Sequence, residues 1–141
     1  MNKQLRQINT DYYEYDNVNP KGKFGGDCVV RAIANALDQS WEQTVREMTE
    51  LGIKKGFLID DQHLYPKYLE SKGFRQMQEP RDDNNKKLTV KQWLKQREGY
   101  TVRTIVANVG SHHVCCIKNG KVHDIWNSST QTMHKYWVKL F

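Results

Sequence analysis

What the sequence lacks narrows the field first. No apolar run approaches the length of a membrane span, and the opening residues MNKQLRQINT hold no apolar stretch of the kind a secretory signal needs. The expectation is a soluble, cytoplasmic protein with no membrane contact. Cysteine is scarce: the three present, two of them adjacent at Cys115 and Cys116, make no regular disulfide framework, which points to a reducing compartment and to free thiols. There is no internal repeat, and 141 residues leave no room for a second domain of ordinary size. Residues 1–141 are read as one domain.

The formal charge of +6 is spread unevenly, since residues 81–103 carry seven Lys or Arg against three acids. A patch of this sign attracts an acidic protein or a nucleic acid, although a solvated helix face that keeps the chain soluble is the simpler reading. Segment 86–97, with Lys86, Lys87, Lys91 and Lys95, is the candidate contact for an acidic partner. Nucleic-acid binding ranks last, because nothing beyond charge supports it. Trp41, Trp93, Trp126 and Trp137 fall one per expected element, as core residues do and stacking platforms do not.

Helices are expected early and strands late. Asp27 is placed to cap CVVRAIANAL, whose Val29, Val30, Ala32, Ile33, Ala36 and Leu37 wrap most of a helical circumference and mark a helix buried in the core. A second helix starts at the cap Ser40 and ends before Gly52; a third spans about 62–72, beginning properly near Pro66; Thr89 caps a short fourth. Residues 1–27 read as an irregular arm, and QEPRDDNNKK as an exposed loop. After Gly99, TVRTIVANV, HHVCCIK and KVHDIW are rich in β-branched and aromatic residues, the last two joined by Asn119-Gly120, and MHKYWVKLF offers a further strand. This order gives an α+β fold.

The chemistry concentrates at Cys28. A thiol becomes a strong nucleophile when ionised, and the first turn of a helix assists by presenting unpaired N–H groups and the positive end of the dipole. The competing interpretation is a small buried hydrophobe on a core helix. The hairpin shifts the balance. With a two-residue turn at Asn119-Gly120, Ile117 faces Val122, Cys115 faces Asp124 and His113 faces Trp126, so His113 and Asp124 share a side as diagonal neighbours. Asp124 can then accept an imidazole N–H and fix the ring's tautomer. A register one residue longer brings Asn127 to the ring instead, so both remain candidates. His112 is the adjacent competitor for the base. Adjacent strand residues point to opposite faces, so His112 with His113 and Cys115 with Cys116 are badly arranged for one metal ion; no metal or other cofactor is expected.

GDCVVRAIANAL, followed some eighty residues later by GSHHVCCIKNGKVHDIWNSS, resembles the cysteine-helix and histidine-hairpin halves of the papain-like cysteine peptidase superfamily. It is particularly similar to small uncharacterised papain-like proteins of bacteria and their phages, which share a GDCVVRAI-type segment and a hairpin ending in D-x-W-[DN]-S-S. The two motifs cover roughly a quarter of the chain. The resemblance implies a papain-like fold, with N-terminal helices, the nucleophile at a helix start, packed on a C-terminal antiparallel sheet. It implies a cysteine hydrolase (peptidase, isopeptidase or amidase) with Cys28 as nucleophile, His113 as base and acid, and Asp124 or Asn127 as the orienting residue. A peptide or protein is the implied substrate. The pattern departs at one point: where such peptidases commonly carry a glutamine that helps bind the oxyanion, this chain has Gly22, and Asn19 or Asn17 is the candidate replacement. The departure keeps a second reading open, a catalytically inactive papain-like binding or inhibitor module of phage type.

Overall fold

The computed structural model describes residues 8–23 and 25–140. Among them lie four α-helices, α1 (Cys28–Leu37), α2 (Trp41–Lys55), α3 (Tyr65–Ser71) and α4 (Val90–Lys95). Six strands join them: β1 (Tyr13–Tyr15), β2 (Phe74–Met77), β3 (Ile105–Val109), β4 (His113–Lys118), β5 (Lys121–Asp124) and β6 (Met133–Lys139). They form one sheet in the order β1-β5-β4-β3-β6-β2. The fold is α+β. No helix among the described residues is long and apolar enough to cross a membrane.

Local chemistry explains the helix limits. Ser40 accepts a hydrogen bond from the Gln43 N–H at 3.1 Å, starting α2, and Gly56 ends it in the left-handed conformation at φ 81°. The helix therefore passes Gly52, which sequence reasoning took as its stop. Gly52 is there for a close approach: a Cβ at that position would stand 2.4 Å from the Phe57 carbonyl oxygen. Pro66 occupies the first turn of α3, where its missing N–H costs nothing. Thr89 and Gln92 cap α4 reciprocally.

The sheet differs from the expected C-terminal antiparallel one in two strands. β1, inside the arm read as irregular, runs parallel to β5 with Tyr13 opposite Val122, while β2 pairs antiparallel with β6, Phe74 opposite Lys139. Both are short and carry little alternation, so the edges of the sheet come from the first half of the chain. The centre follows expectation. Asn119 (φ 54°) and Gly120 (φ 75°) make the turn between β4 and β5, with Cys116 opposite His123, Ile117 opposite Val122 and Lys118 opposite Lys121.

Two apolar clusters cover the faces. On one, Val29, Ile33 and Ala36 of α1 meet Met48, Leu69, Val106, Cys116 and Trp137. On the other, Trp93 and Leu94 of α4 meet Ile105, Cys115, Ile117, Val122 and Tyr136. Because β4 and β5 are antiparallel, His113 at the start of one and Asp124 at the end of the other lie at the same end of the sheet. Packing of α1 against β4 brings its first turn there too.

Candidate active site

Gly25 and Gly26, at φ 102° and 79°, turn the chain into α1 in conformations that side chains resist, and Asp27 follows at the cap position. The Asp27 carboxylate does not cap. One oxygen accepts from Asn19 Nδ2 and from Trp41 Nε1, both at 2.9 Å, and the other pairs with Arg31 one turn along the helix. The Arg31 N–H makes the first intrahelical bond, to the Asp27 carbonyl at 2.9 Å, so the amides of Cys28, Val29 and Val30 precede the ladder and have no cap carboxylate on them. Helix dipole and unpaired donors are thus left for a negative charge at the sulfur.

Cys28 itself is half-buried, and its thiol interacts with the His113 ring and with the Val114 backbone. His113 Nε2 lies 2.6 Å from Asp124 Oδ2, which leaves Nδ1 as the ring nitrogen for the thiol. Asp124 is held in turn: it accepts from the Ser128 hydroxyl and from the Ile125 N–H, each at 2.7 Å, and Arg31 stands 3.8 Å away. Tyr13 reaches across from β1 to hydrogen-bond the Asp124 carbonyl at 3.1 Å. Trp126 packs against the imidazole with ring centroids 4.9 Å apart.

These contacts set the protonation. Burial pushes the Cys28 thiol up, but the His113 hydrogen bond, the Val114 backbone and the positive charges of His113 and Arg31 together bring it below the ordinary thiol value. Burial pulls His113 down, yet the hydrogen bonds to Asp124 and Cys28 and the charges of both raise it to about 9. Both directions favour a thiolate beside an imidazolium. The other two thiols move oppositely: burial, with nearby negative charge, pushes Cys115 up, and burial dominates at Cys116 as well.

Of the residues singled out from the sequence, three come together: Cys28, His113 and Asp124. Asn127 does not join them, because its side chain receives the Ser129 N–H at 3.2 Å and the Ser129 hydroxyl, capping the short 3-10 turn at Ser128–Thr130. The two-residue hairpin turn brings Asp124, not Asn127, to the ring. The Asn19 amide donates to Asp27 at 2.9 Å and its oxygen accepts from the Lys21 N–H at 2.9 Å. Asn17 donates to the Lys23 carbonyl. His112 stays on the groove wall beside the site. Arg31 and Ser128 were missed. A lone charge on a mostly apolar helix, four residues after Asp27, was the legible sign of the first; the hydroxyl within the D-x-W-[DN]-S-S pattern was the sign of the second.

A groove of about 1320 Å³ opens at the sulfur and runs between the start of α1, α2 and the 56–60 loop. Its walls include Val45, Ile53, Leu58, Ile59 and Trp126, with Asp60 at its border. Ile53 and Leu58 on these walls are about four-fifths exposed. The chain matches no family model, no curated protein and no solved structure.

Proposed function

We propose that this protein is a papain-like cysteine hydrolase that cleaves peptide or closely related amide bonds. The observation that carries the reading is the chain of contacts from sulfur to imidazole to buried carboxylate, built from three separate elements. In the reaction the Cys28 thiolate attacks the carbonyl carbon, the amide C–N bond breaks, and His113 gives its proton to the departing amine. A thioester remains. Water then attacks it while His113 takes the proton, releasing the acid and restoring the thiolate beside the imidazolium. Asp124 holds Nε2, so that Nδ1 faces the sulfur throughout, and the free first-turn amides of α1 supply donors to the oxyanion. No metal or other cofactor has a part in this sequence of steps.

The groove favours a polypeptide over a small amide. It is larger than the roughly 300–1,000 Å³ of ordinary small-molecule pockets, and its walls suit apolar side chains flanking the scissile bond. The specific observation on the side of a binding module is that Gly22 has no side chain to offer as a second oxyanion donor and that the Asn19 amide already donates to Asp27. Turnover of a broad peptide and amide library by the native chain and by Cys28→Ala separates the two. Cleavage by the first and none by the second is expected; tight binding of the same peptides by both, without turnover by either, would establish the binding module.

A further inference from the structure

We propose that Arg31 is a positioning residue of this site: it holds the Asp27 carboxylate away from the first-turn amides of α1 and stands against Asp124, keeping negative charge off the donors beside the sulfur. The proposal rests on Cys28, His113 and Asp124 being the reacting set.

Arg31 is the one charged residue on α1, and its side chain is 95% buried beside the helix's apolar residues. Burying a guanidinium there is costly unless it is paired, and both partners are carboxylates of the site. Its NH1 engages Asp27, its NH2 lies 3.8 Å from Asp124 Oδ1, and its Nε has no partner among the described residues. An unsatisfied Nε means that the two carboxylates fix where the guanidinium sits, at the expense of its third nitrogen. Asp27 occupies the position from which an aspartate side chain ordinarily accepts from the first-turn amides. Asn19 and Trp41 also hold it, but as neutral donors. Arg31 alone supplies opposite charge. Without it, the preferred place for the Asp27 charge is the helix start, where it would occupy the thiolate's donors and repel the thiolate itself.

The charged and titratable groups around the thiol come from several elements. Asp27 and Arg31 belong to its own helix and cap, His112 and His113 to the start of β4, and Asp124 to β5. Tyr65 of α3, bonded to Asn108 at 3.0 Å, feels the Cys28 charge, and Asp60 borders the groove. Only Asp27 has both the negative charge and the backbone position to displace the sulfur from the amides.

The test is the pH dependence of Cys28 alkylation by iodoacetamide, with folding followed by thermal melting. Arg31→Met is expected to move the midpoint up by about one pH unit, close to a tenfold loss of rate at neutral pH. Arg31→Lys should stay near the native midpoint. The double variant Asp27→Asn with Arg31→Met removes the charge that Arg31 restrains, and its shift should be clearly smaller than that of Arg31→Met. An unchanged midpoint in Arg31→Met, or a full shift in the double variant, would overturn the proposal. If Arg31→Met does not fold, the double variant decides alone, by a midpoint near the native one or a full unit above it. A native Cys28 that titrates as an ordinary thiol would instead remove the hydrolase reading itself.

Discussion

The two faces of the sheet are made by the same central strands, yet they treat a thiol in opposite ways. Cys115 turns toward α4 and Cys116 toward α1, both fully buried, and burial drives both away from ionisation. Cys28 borders the α1 layer at the end of the sheet, half-exposed to a groove, and is driven toward ionisation. Residue type is the same in all three cases. What differs is whether an imidazole held by a carboxylate, unpaired helix amides and a buried guanidinium reach the sulfur.

The contrast can be broken at its strongest point with His113→Ala. If His113 is what separates Cys28 from the other thiols, turnover of any cleaved peptide should fall by about 10³- to 10⁴-fold, and Cys28 should lose its low titration while Cys115 and Cys116 stay unreactive. Steady-state kinetics and pH-dependent alkylation check the two halves. Asp124→Ala comes next. It strands Arg31, His113 and the Ser128 hydroxyl in a buried pocket, so a loss of about 3–5 kcal/mol in denaturant unfolding is expected in addition to lost activity.

Proton linkage sharpens the comparison more gently. His113 is raised from 6.5 to about 9 in the folded chain, so its contribution to stability is complete below pH 6.5 and is lost as pH rises toward 9. Cys28 is lowered from 9.0, so its contribution is complete above that value and is lost as pH falls through the folded value. Activity should decline on the alkaline side near pH 9, as the imidazolium loses its proton. The His113 fall and the Cys28 rise oppose each other over this range, so unfolding free energies measured from pH 6 to 10 should show the His113 slope in Cys28→Ala, where Asp124 still raises the imidazole, and not in His113→Ala. The smallest effect belongs to Asn127→Ala. It removes a turn cap worth about 1 kcal/mol in thermal or denaturant unfolding, and leaves kcat/KM within about twofold because the residue does not touch the ring.

Much of this arrangement was legible in the sequence because it depends on short-range rules. The apolar circumference of 28–37, the cap at Thr89 and the Asn119-Gly120 turn each fix local geometry, and the turn alone decides between Asp124 and Asn127 by setting the register. What escaped depends on long-range pairing. β1 and β2, at three and four residues, carry too little pattern to be seen apart from the strands they join. The Asp27 side chain reads as a cap because its position is right, but Trp41 and Asn19, distant in sequence, draw it elsewhere. Gly52 reads as a stop because close packing against Phe57 cannot be distinguished from a left-handed turn without the fold.

The central claim is that one sulfur of three is activated by His113. Competitive alkylation of the native protein by iodoacetamide at pH 7, with each cysteine quantified by mass spectrometry alongside His113→Ala, tests it directly. Rapid labelling of Cys28 alone is expected, slowed to the rate of an ordinary thiol in the variant. Labelling of Cys28 no faster than Cys115 or Cys116, or rapid labelling that survives loss of the imidazole, would contradict it.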